Sequence, residues 1–302
     1  MIENQRVILG CGNFGGVGSL PELIGKGDDA ATAENLLDLA KDFGITRFDT
    51  ANSYGGGRSE EILGQWLVKQ ETGFRAKALT STKVGNPFGC RIGKTPLAAS
   101  EIRFHVQNSL RRLHLERVET LYLHEPDPLT ALEDTMAGIS DVLRRGLVDT
   151  IGLSNVSLSY LQKFLKTSDH FTRSRIKKVQ NEFHYLNNKD RPELIPFLKS
   201  AGISYVAFSP LAGGLLSGKY RLDQPFPEQS RLSLRSDPYQ EYLNRDHFKK
   251  ISELKLRAEK KGRLIAEEAF RFVLDEDGID FAVIGPRKKE HYETLGLKCK
   301  KY

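Results

Sequence analysis

The segment RFDTANSYGGGRSEEILGQWL, from Arg47 to Leu67, places a carboxylate and a phenol just before a glycine-rich turn. Asp49 ends a short apolar run that is typical of a strand, and Tyr54 follows five residues later. Three glycines and an amphipathic helical pattern come next. An Asp before Thr is also a common turn residue, as is a Tyr before glycine. This segment alone therefore predicts either an ordinary strand-to-helix turn or half of an active site.

Two further residues favour the active site. Lys83, in STKVG, and His124, in LYLHEPD, also end apolar runs, although a lone His there could be a core histidine. A lysine ammonium near a phenol lowers the phenol pKa, and a carboxylate holds the lysine in place. A histidine across the pocket can orient a carbonyl oxygen. The four residues predict proton delivery to a carbonyl that becomes an alcohol. A cofactor must supply the hydride, because no side chain can.

Eight apolar, strand-like runs alternate with helical patterns along the 302 residues. These runs cover residues 6–12, 46–51, 76–83, 118–124, 148–154, 176–182, 203–209 and 279–285. The alternation predicts a parallel sheet, and eight units predict an α/β fold of the (β/α)8 TIM-barrel class, with residues 1–302 forming one domain. Because the active residues of such barrels lie at the carboxyl ends of the strands, the four side chains should share one mouth.

A glycine motif offers an alternative fold. Residues 10–15 read GCGNFG, which matches the dinucleotide fingerprint of a doubly wound sheet. That fingerprint requires a helix to begin at the third glycine, but GVGSLP follows the motif and is a poor helix former. No acidic residue ends a second strand at the required spacing of about 20 residues. The glycines instead predict a close approach of backbone at the end of the first strand.

The composition of the chain indicates its cellular compartment and excludes some classes of binding partner. Apolar residues make up 39% and charged residues 28%, with a net charge of +6. Three widely spaced cysteines, Cys11, Cys90 and Cys299, favour the reducing cytoplasm over a disulfide framework or a zinc site. We expect no signal peptide and no membrane partner, since no apolar run approaches 18 residues. Basic residues between Lys249 and Arg263 alternate with Glu and Leu, which indicates a solvated helix face rather than a nucleic-acid site.

The motifs GITRFDTANSYGGGRSEEILGQWL, STKVG, LYLHEPDP and RRGLVDTIGLSNVS resemble those of the aldo-keto reductase superfamily, and the similarity covers nearly the whole chain. The resemblance implies a barrel without a separate dinucleotide domain, with NADPH extended across its mouth. It also implies a catalytic tetrad of Asp49, Tyr54, Lys83 and His124. Tyr54 would be the general acid, tuned by Lys83, which Asp49 holds. His124 would position the carbonyl of a small-molecule aldehyde or ketone.

The same resemblance implies a set of cofactor contacts at matching motif positions. The nicotinamide carboxamide would be held by Ser154, Asn155 and Gln180, and its ring would stack on Phe208. The pyrophosphate would contact Ser209, Leu211 and Gly213 through backbone, and Lys219 and Arg231 by charge. The irregular segment at about 212–245, rich in Pro, Arg and Gln, would then be a loop that covers the cofactor.

The RKK triplet after the last predicted strand implies a phosphate site. Gly285 and Arg287 match the superfamily positions around the adenosine 2′-phosphate, and Lys288 is placed to help. A 2′-phosphate needs a cationic partner, so the triplet favours NADPH over NADH. A solvated basic turn is the alternative interpretation.

The last helix departs from the superfamily pattern. His291, Thr294 and Leu295 stand where a Gln, an acidic residue and an Asn usually contact the adenine. His291 is still a candidate contact with the cofactor, but the resemblance does not say which other residues contact the adenine. The short N-terminus also predicts an abbreviated hairpin at the closed end of the barrel.

The sequence therefore predicts an NADPH-dependent oxidoreductase that reduces an aldehyde or ketone. The alternative is a regulatory or redox-sensing subunit that binds the nucleotide with little turnover, as channel-associated β subunits of the superfamily are thought to behave. The substrate pocket is expected to include Phe14, Tyr54, Phe88 and residues 225–239.

Overall fold

The structure, a computed structural model, describes residues 2–299. Eight parallel strands pair in chain order, and β8 pairs with β1 to close a barrel. The strands are β1 Val7–Gly10, β2 Arg47–Asp49, β3 Leu79–Val84, β4 Val118–Leu123, β5 Val148–Ser154, β6 Ile176–Glu182, β7 Ser204–Phe208 and β8 Ile279–Ile284. Every strand falls within its predicted run except at the end of β3, which extends one residue further. The predicted (β/α)8 barrel is confirmed.

Helices follow the strands and cover the outside of the barrel. They are α1 Ala30–Asp42, α2 Arg58–Val68, α3 Thr72–Arg75, α4 Ala99–Leu113, α5 Leu132–Arg144, α6 Leu158–Thr167, α7 His170–Arg175, α8 Leu194–Ala201, α9 Arg231–Leu234, α10 Arg245–Lys260, α11 Ile265–Leu274 and α12 Lys289–Thr294. Capping residues determine where several of these helices begin or end. The Asp29 side chain caps α1 by accepting from the Thr32 amide, and Gly202 ends α8 in the left-handed conformation.

The core lies between the strands and these helices. Trp66 of α2 is 1% exposed and packs edge-on against Phe48 of β2, with ring centroids 5.4 Å apart. Its indole nitrogen donates to Asp38 of α1, at 2.8 Å, so the indole group is both buried and hydrogen-bonded. Among the described helices, none is long and apolar enough to cross a membrane.

The glycine motif after β1 serves packing. A 3-10 turn at Pro21–Leu23 follows it, and the first α-helix begins only at Ala30. A Cβ on Gly55 would lie 2.9 Å from the backbone carbonyl carbon of Gly15, in the motif, and a Cβ on the adjacent Gly16 would lie 2.7 Å from the Cα of Gly55. The loop after β1 and the loop that carries Tyr54 therefore meet backbone to backbone. The prediction of close backbone approach is confirmed, and the closed barrel excludes a doubly wound sheet.

The segment at 212–245, named here the strap, is more ordered than the predicted loop. It contains 3-10 turns at Ala212–Ser217 and Asp237–Tyr242 together with α9. It also covers a second apolar cluster. The buried members of that cluster are Leu186, Ala212, Leu215, Leu216, Tyr220, Leu232, Tyr239, Tyr242, Ile251, Leu254 and Ala269.

The amino-terminal end of the barrel is closed by polar side chains. A 3-10 turn, Asn4–Arg6, immediately precedes β1. Lys178 pairs with Glu119 at 2.6 Å inside this end, and Arg47 lies over the Phe281 ring at 4.6 Å.

The Asn4 side chain joins the two ends of the described chain. Its amide donates to the backbone oxygens of Phe43, at 2.6 Å, and Lys298, at 2.9 Å. The residues that lead into β1 therefore lie beside those that leave α12.

Candidate active site

A buried ion pair lies at the carboxyl ends of β2 and β3. The Lys83 ammonium donates to Oδ2 of Asp49 and, at 3.0 Å, to the backbone oxygen of Thr50. Lys83 is 1% exposed and Asp49 3% exposed. Burial acts to lower the Lys83 pKa, but the charge of Asp49 and its hydrogen bond raise it above its ordinary value. Lys83 is therefore a fixed cation at neutral pH.

The second oxygen of Asp49 has two donors of its own. Oδ1 accepts from Oγ of Ser81 at 3.0 Å and from Nε2 of Gln180 at 3.1 Å. Ser81 stands directly opposite Asp49 in the β2–β3 register. Ser81 was not predicted from the sequence, although the pairing of two adjacent strands places it opposite Asp49. Gln180 here contacts the carboxylate, and its role toward a carboxamide stays a prediction.

Tyr54 begins a 3-10 turn, Tyr54–Gly57, five residues beyond the end of β2. Its ring centroid lies 5.0 Å from the Lys83 nitrogen and 5.5 Å from that of His124, which meets it edge-on. Burial raises the pKa of Tyr54 above its ordinary value, while the Lys83 charge acts to lower it. The effect of Lys83 has the predicted direction, but desolvation of the phenol outweighs it. Tyr54 is protonated at neutral pH and has a proton to give.

His124 directly follows β4, and its backbone amide donates to Val84 at 2.8 Å. Burial and the Lys83 charge lower its pKa to about 3, so the imidazole is neutral at physiological pH. Its Nδ1 is buried and has no hydrogen-bond partner within residues 2–299. The structure thus brings all four predicted side chains together at one mouth.

The end of β5 is tied to the same mouth. Oγ of Ser154 donates to the Gln180 backbone oxygen at 2.8 Å, and the Asn155 amide donates to the same oxygen at 3.1 Å. The Asn155 side chain donates to the His124 backbone oxygen at 2.9 Å. These two predicted cofactor residues therefore lie beside the tetrad.

Left-handed backbone concentrates along the predicted cofactor path. Half-buried Phe208 ends β7, and the chain beyond it is left-handed at Ser209 and Gly213. Leu211 accepts from the Gly214 amide at 2.9 Å. Five non-glycine residues of the described chain have positive φ, and four of them lie on this path: Asn155, Ser209, Ala212 and Gln229. Backbone strain of this kind clusters at functional sites, which marks these turns as candidates.

Two predicted phosphate ligands face one cavity. Arg231 donates to Oδ1 of Asn13 at 3.0 Å, and Arg287 approaches Oδ1 of Asp28 at 3.4 Å. Both guanidinium groups line a small cavity together with Asn13, Val17, Gly27 and Leu234. Paired guanidinium groups at a cavity suit a phosphate group.

Further cations surround the last helix. Burial and the charges of Lys288 and Lys219 lower the pKa of His291, so its ring is neutral and near both lysines. Its Nδ1 accepts from the Arg287 amide at 3.1 Å. A Cβ on Gly285 would meet no atom within 4 Å, so the surface there is open.

The other two residues at the superfamily's adenine positions are engaged within the protein. Thr294 donates to the Glu290 backbone oxygen at 2.5 Å, and Leu295 is 4% exposed in the core. Phe14 is also a core residue, 2% exposed, so its predicted place in the wall of the substrate pocket is wrong. Phe88 is 57% exposed at the mouth, where Gly89 approaches Asn52.

The chain matches the sequence model described as the Aldo/keto reductase family over residues 6–297. It is 28% identical to the aldo-keto reductase YhdN of Bacillus subtilis over 97% of this chain and 85% of that protein. It is 29% identical to a probable voltage-gated potassium channel subunit beta of Arabidopsis thaliana, over 88% of this chain and 81% of that protein. The structure of the glycerol dehydrogenase AKR11B4 from Gluconobacter oxydans aligns with a TM-score of 0.77 and 25% identity, over 97% of this chain and 85% of that one. The chain is therefore an oxidoreductase that belongs to the aldo/keto reductase family.

Proposed function

We propose that this protein uses NADPH to reduce an aldehyde or ketone to an alcohol, with Tyr54 as the general acid. The observation that carries the proposal is the buried series of contacts from Asp49 through Lys83 and Tyr54 to His124. Family membership supports carbonyl reduction in general. Enzyme assays with variants test three points: that the nucleotide is NADPH, that Tyr54 is the acid, and that the other residues have the roles given to them.

The residues present suit NADPH. The nicotinamide end would be held by Ser154, Asn155, Gln180 and Phe208, the pyrophosphate by Ser209, Leu211, Gly213, Lys219 and Arg231, and the adenosine end by Gly285, Arg287 and His291. Two guanidinium groups at one cavity and the left-handed turn after β7 support this assignment. When bound, NADPH supplies a hydride to the carbonyl carbon.

The side chains of the tetrad handle the proton. Tyr54 donates a hydrogen bond to the carbonyl oxygen and gives up its proton as negative charge develops there. Lys83 stabilises the resulting phenolate, and Asp49 keeps Lys83 in place. Neutral His124 donates a second hydrogen bond to the same oxygen without adding a charge. In alcohol oxidation the same Tyr54 oxygen accepts the proton.

We also propose that residues 1–302 act as one domain, with the strap covering the bound cofactor. The packing of the strap on its own buried cluster supports a defined position over the mouth. The cytoplasm is the proposed compartment, since NADPH-dependent reduction suits the reducing environment that the three cysteines favour.

The test is the loss of absorbance at 340 nm from NADPH, and separately from NADH, with a panel of aldehydes and ketones. We expect Tyr54→Phe to lower kcat at least about 100-fold, because general acid catalysis contributes about 10²–10⁴. NADPH affinity should change little. Tyr160→Phe is the matched control, since half-buried Tyr160 packs on Phe164 of the outer helix α6. Full activity in Tyr54→Phe would contradict the proposal that Tyr54 is the general acid.

A second function has support from the similarity to a potassium channel β subunit. In that case the protein would hold NADPH tightly and turn over slowly with every carbonyl tested. Rapid turnover with any carbonyl of the panel would argue against sensing, whereas tight nucleotide binding without turnover across the whole panel would favour it.

A further inference from the structure

Arg287, the predicted ligand of the 2′-phosphate, is already engaged at three points. Its Nε approaches Oδ1 of Asp28 at 3.4 Å, and its Nη1 donates to the backbone oxygen of Gln229 at 2.6 Å. Its backbone amide donates to His291 at 3.1 Å. The guanidinium group is thus shared between the loop after β1 and the strap, and its side chain is only 34% exposed.

Asp28 is held rigidly where it meets this arginine. Its amide donates to Asn13 at 2.7 Å and its carbonyl accepts from Gly15 at 2.8 Å, so backbone on both sides is fixed. The side chain is 4% exposed. Oδ2 is buried and accepts no hydrogen bond from any residue in the described range. Arg287 is therefore the cation that compensates this buried carboxylate, and Oδ2 retains a free acceptor position.

The pair lies at the edge of the proposed phosphate site. The cavity that Arg231 and Arg287 line is also lined by Gly27, the residue before Asp28. A phosphate dianion that reaches Arg287 thus comes close to a carboxylate of the same sign. A ribose hydroxyl at that position carries no charge, so it does not need the guanidinium group that Asp28 holds.

Resting on the proposed function, we infer that Asp28 is a specificity-determining residue that reduces the preference for NADPH over NADH. It competes with the 2′-phosphate for Arg287, whose guanidinium group already pairs with the Asp28 carboxylate. NADH carries a hydroxyl at the same position and avoids that competition. The protein accordingly discriminates between the two nucleotides much less than the RKK triplet alone implies.

The experiment is calorimetric titration of the intact protein with NADPH, NADH, adenosine 2′,5′-bisphosphate and AMP, without a carbonyl substrate. Asp28→Asn should tighten binding of NADPH and of the bisphosphate at least about 10-fold. The affinities for NADH and AMP should either change less than twofold or decrease. The matched control is Asp29→Asn, because exposed Asp29 is adjacent in the chain and loses the same charge. It should change every affinity less than twofold.

A double variant tests whether the effect acts through Arg287. In an Arg287→Met background, Asp28→Asn should improve NADPH binding at most about twofold, since the competition for the guanidinium no longer exists. Asp28→Ser serves as a second variant if the thermal midpoint of Asp28→Asn falls sharply. Equal gains for NADPH in the Asp28 and Asp29 variants would overturn the inference. Wild-type protein that binds no nicotinamide nucleotide would instead refute the proposed function itself.

Discussion

Lys83 and Asp49 form a pair in which each buried charge depends on the other. Lys83→Met leaves Asp49 as a buried carboxylate without a cation, so we expect the free energy of unfolding to fall by about 3–5 kcal/mol. Adding Asp49→Asn should recover a large part of that loss, because the uncompensated charge disappears. Urea denaturation of both variants measures the effect, with exposed Lys77→Met as the control. A double variant no more stable than Lys83→Met would contradict the argument.

His124 predicts a pH dependence of stability with a defined sign. The unfolded chain binds a proton at this residue below about pH 6.5, whereas the folded chain binds it only near pH 3. The unfolded state is therefore favoured as pH falls, and stability decreases between pH 6.5 and 3. From pH 6.5 to 5.0, wild type should lose about 2 kcal/mol more than His124→Gln.

Denaturant titrations at the two pH values measure this difference. His170→Gln is the control, since His170 is exposed. A wild-type pH dependence shared fully by His124→Gln would show that His124 does not titrate as the structure indicates.

At the scale of elements, the contact between the loop after β1 and the Tyr54 loop depends on two glycines. Gly16→Ala would place a methyl group 2.7 Å from the Gly55 backbone, and that backbone has to move. Because Gly55 follows Tyr54, we expect kcat/KM for carbonyl reduction to fall about 10- to 100-fold. Gly73→Ala is the control, since a Cβ there meets no atom within 4 Å. Unchanged activity in Gly16→Ala would mean that the loops yield without moving Tyr54.

The strands and the tetrad could be predicted because their signals are local. Apolar runs mark the strand positions, and Lys83 and His124 stand visibly at their ends. The internal order of the strap was not predicted, since 3-10 turns and a four-residue helix leave no lasting periodicity. The contact between Arg287 and Asp28 joins residues 259 positions apart, which spacing cannot reveal. The sign of the Tyr54 pKa shift depends on burial depth, which only the folded barrel defines.

At the scale of the whole molecule, the closed barrel has the four proposed catalytic side chains at one end and the Lys178–Glu119 ion pair at the other. The described side chains at the amino-terminal end include Lys178, Glu119, Arg47 and Phe281. The tetrad occupies the opposite mouth, so changes at the closed end should affect stability more than turnover.

The hydrogen bonds of Asn4 to Phe43 and Lys298 also bear on chain connectivity. A circular permutant that joins residue 299 to residue 2 through a short Gly/Ser linker, and opens at exposed Gly93, should fold into the same barrel. We expect its kcat to lie within about threefold of wild type, since no strand end at the mouth is cut. Reduction assays and thermal melts measure this, and a version opened at Leu121 inside β4 should fail to fold. The fold would then depend on the contacts between neighbouring units around the closed barrel, and not on which unit begins the chain.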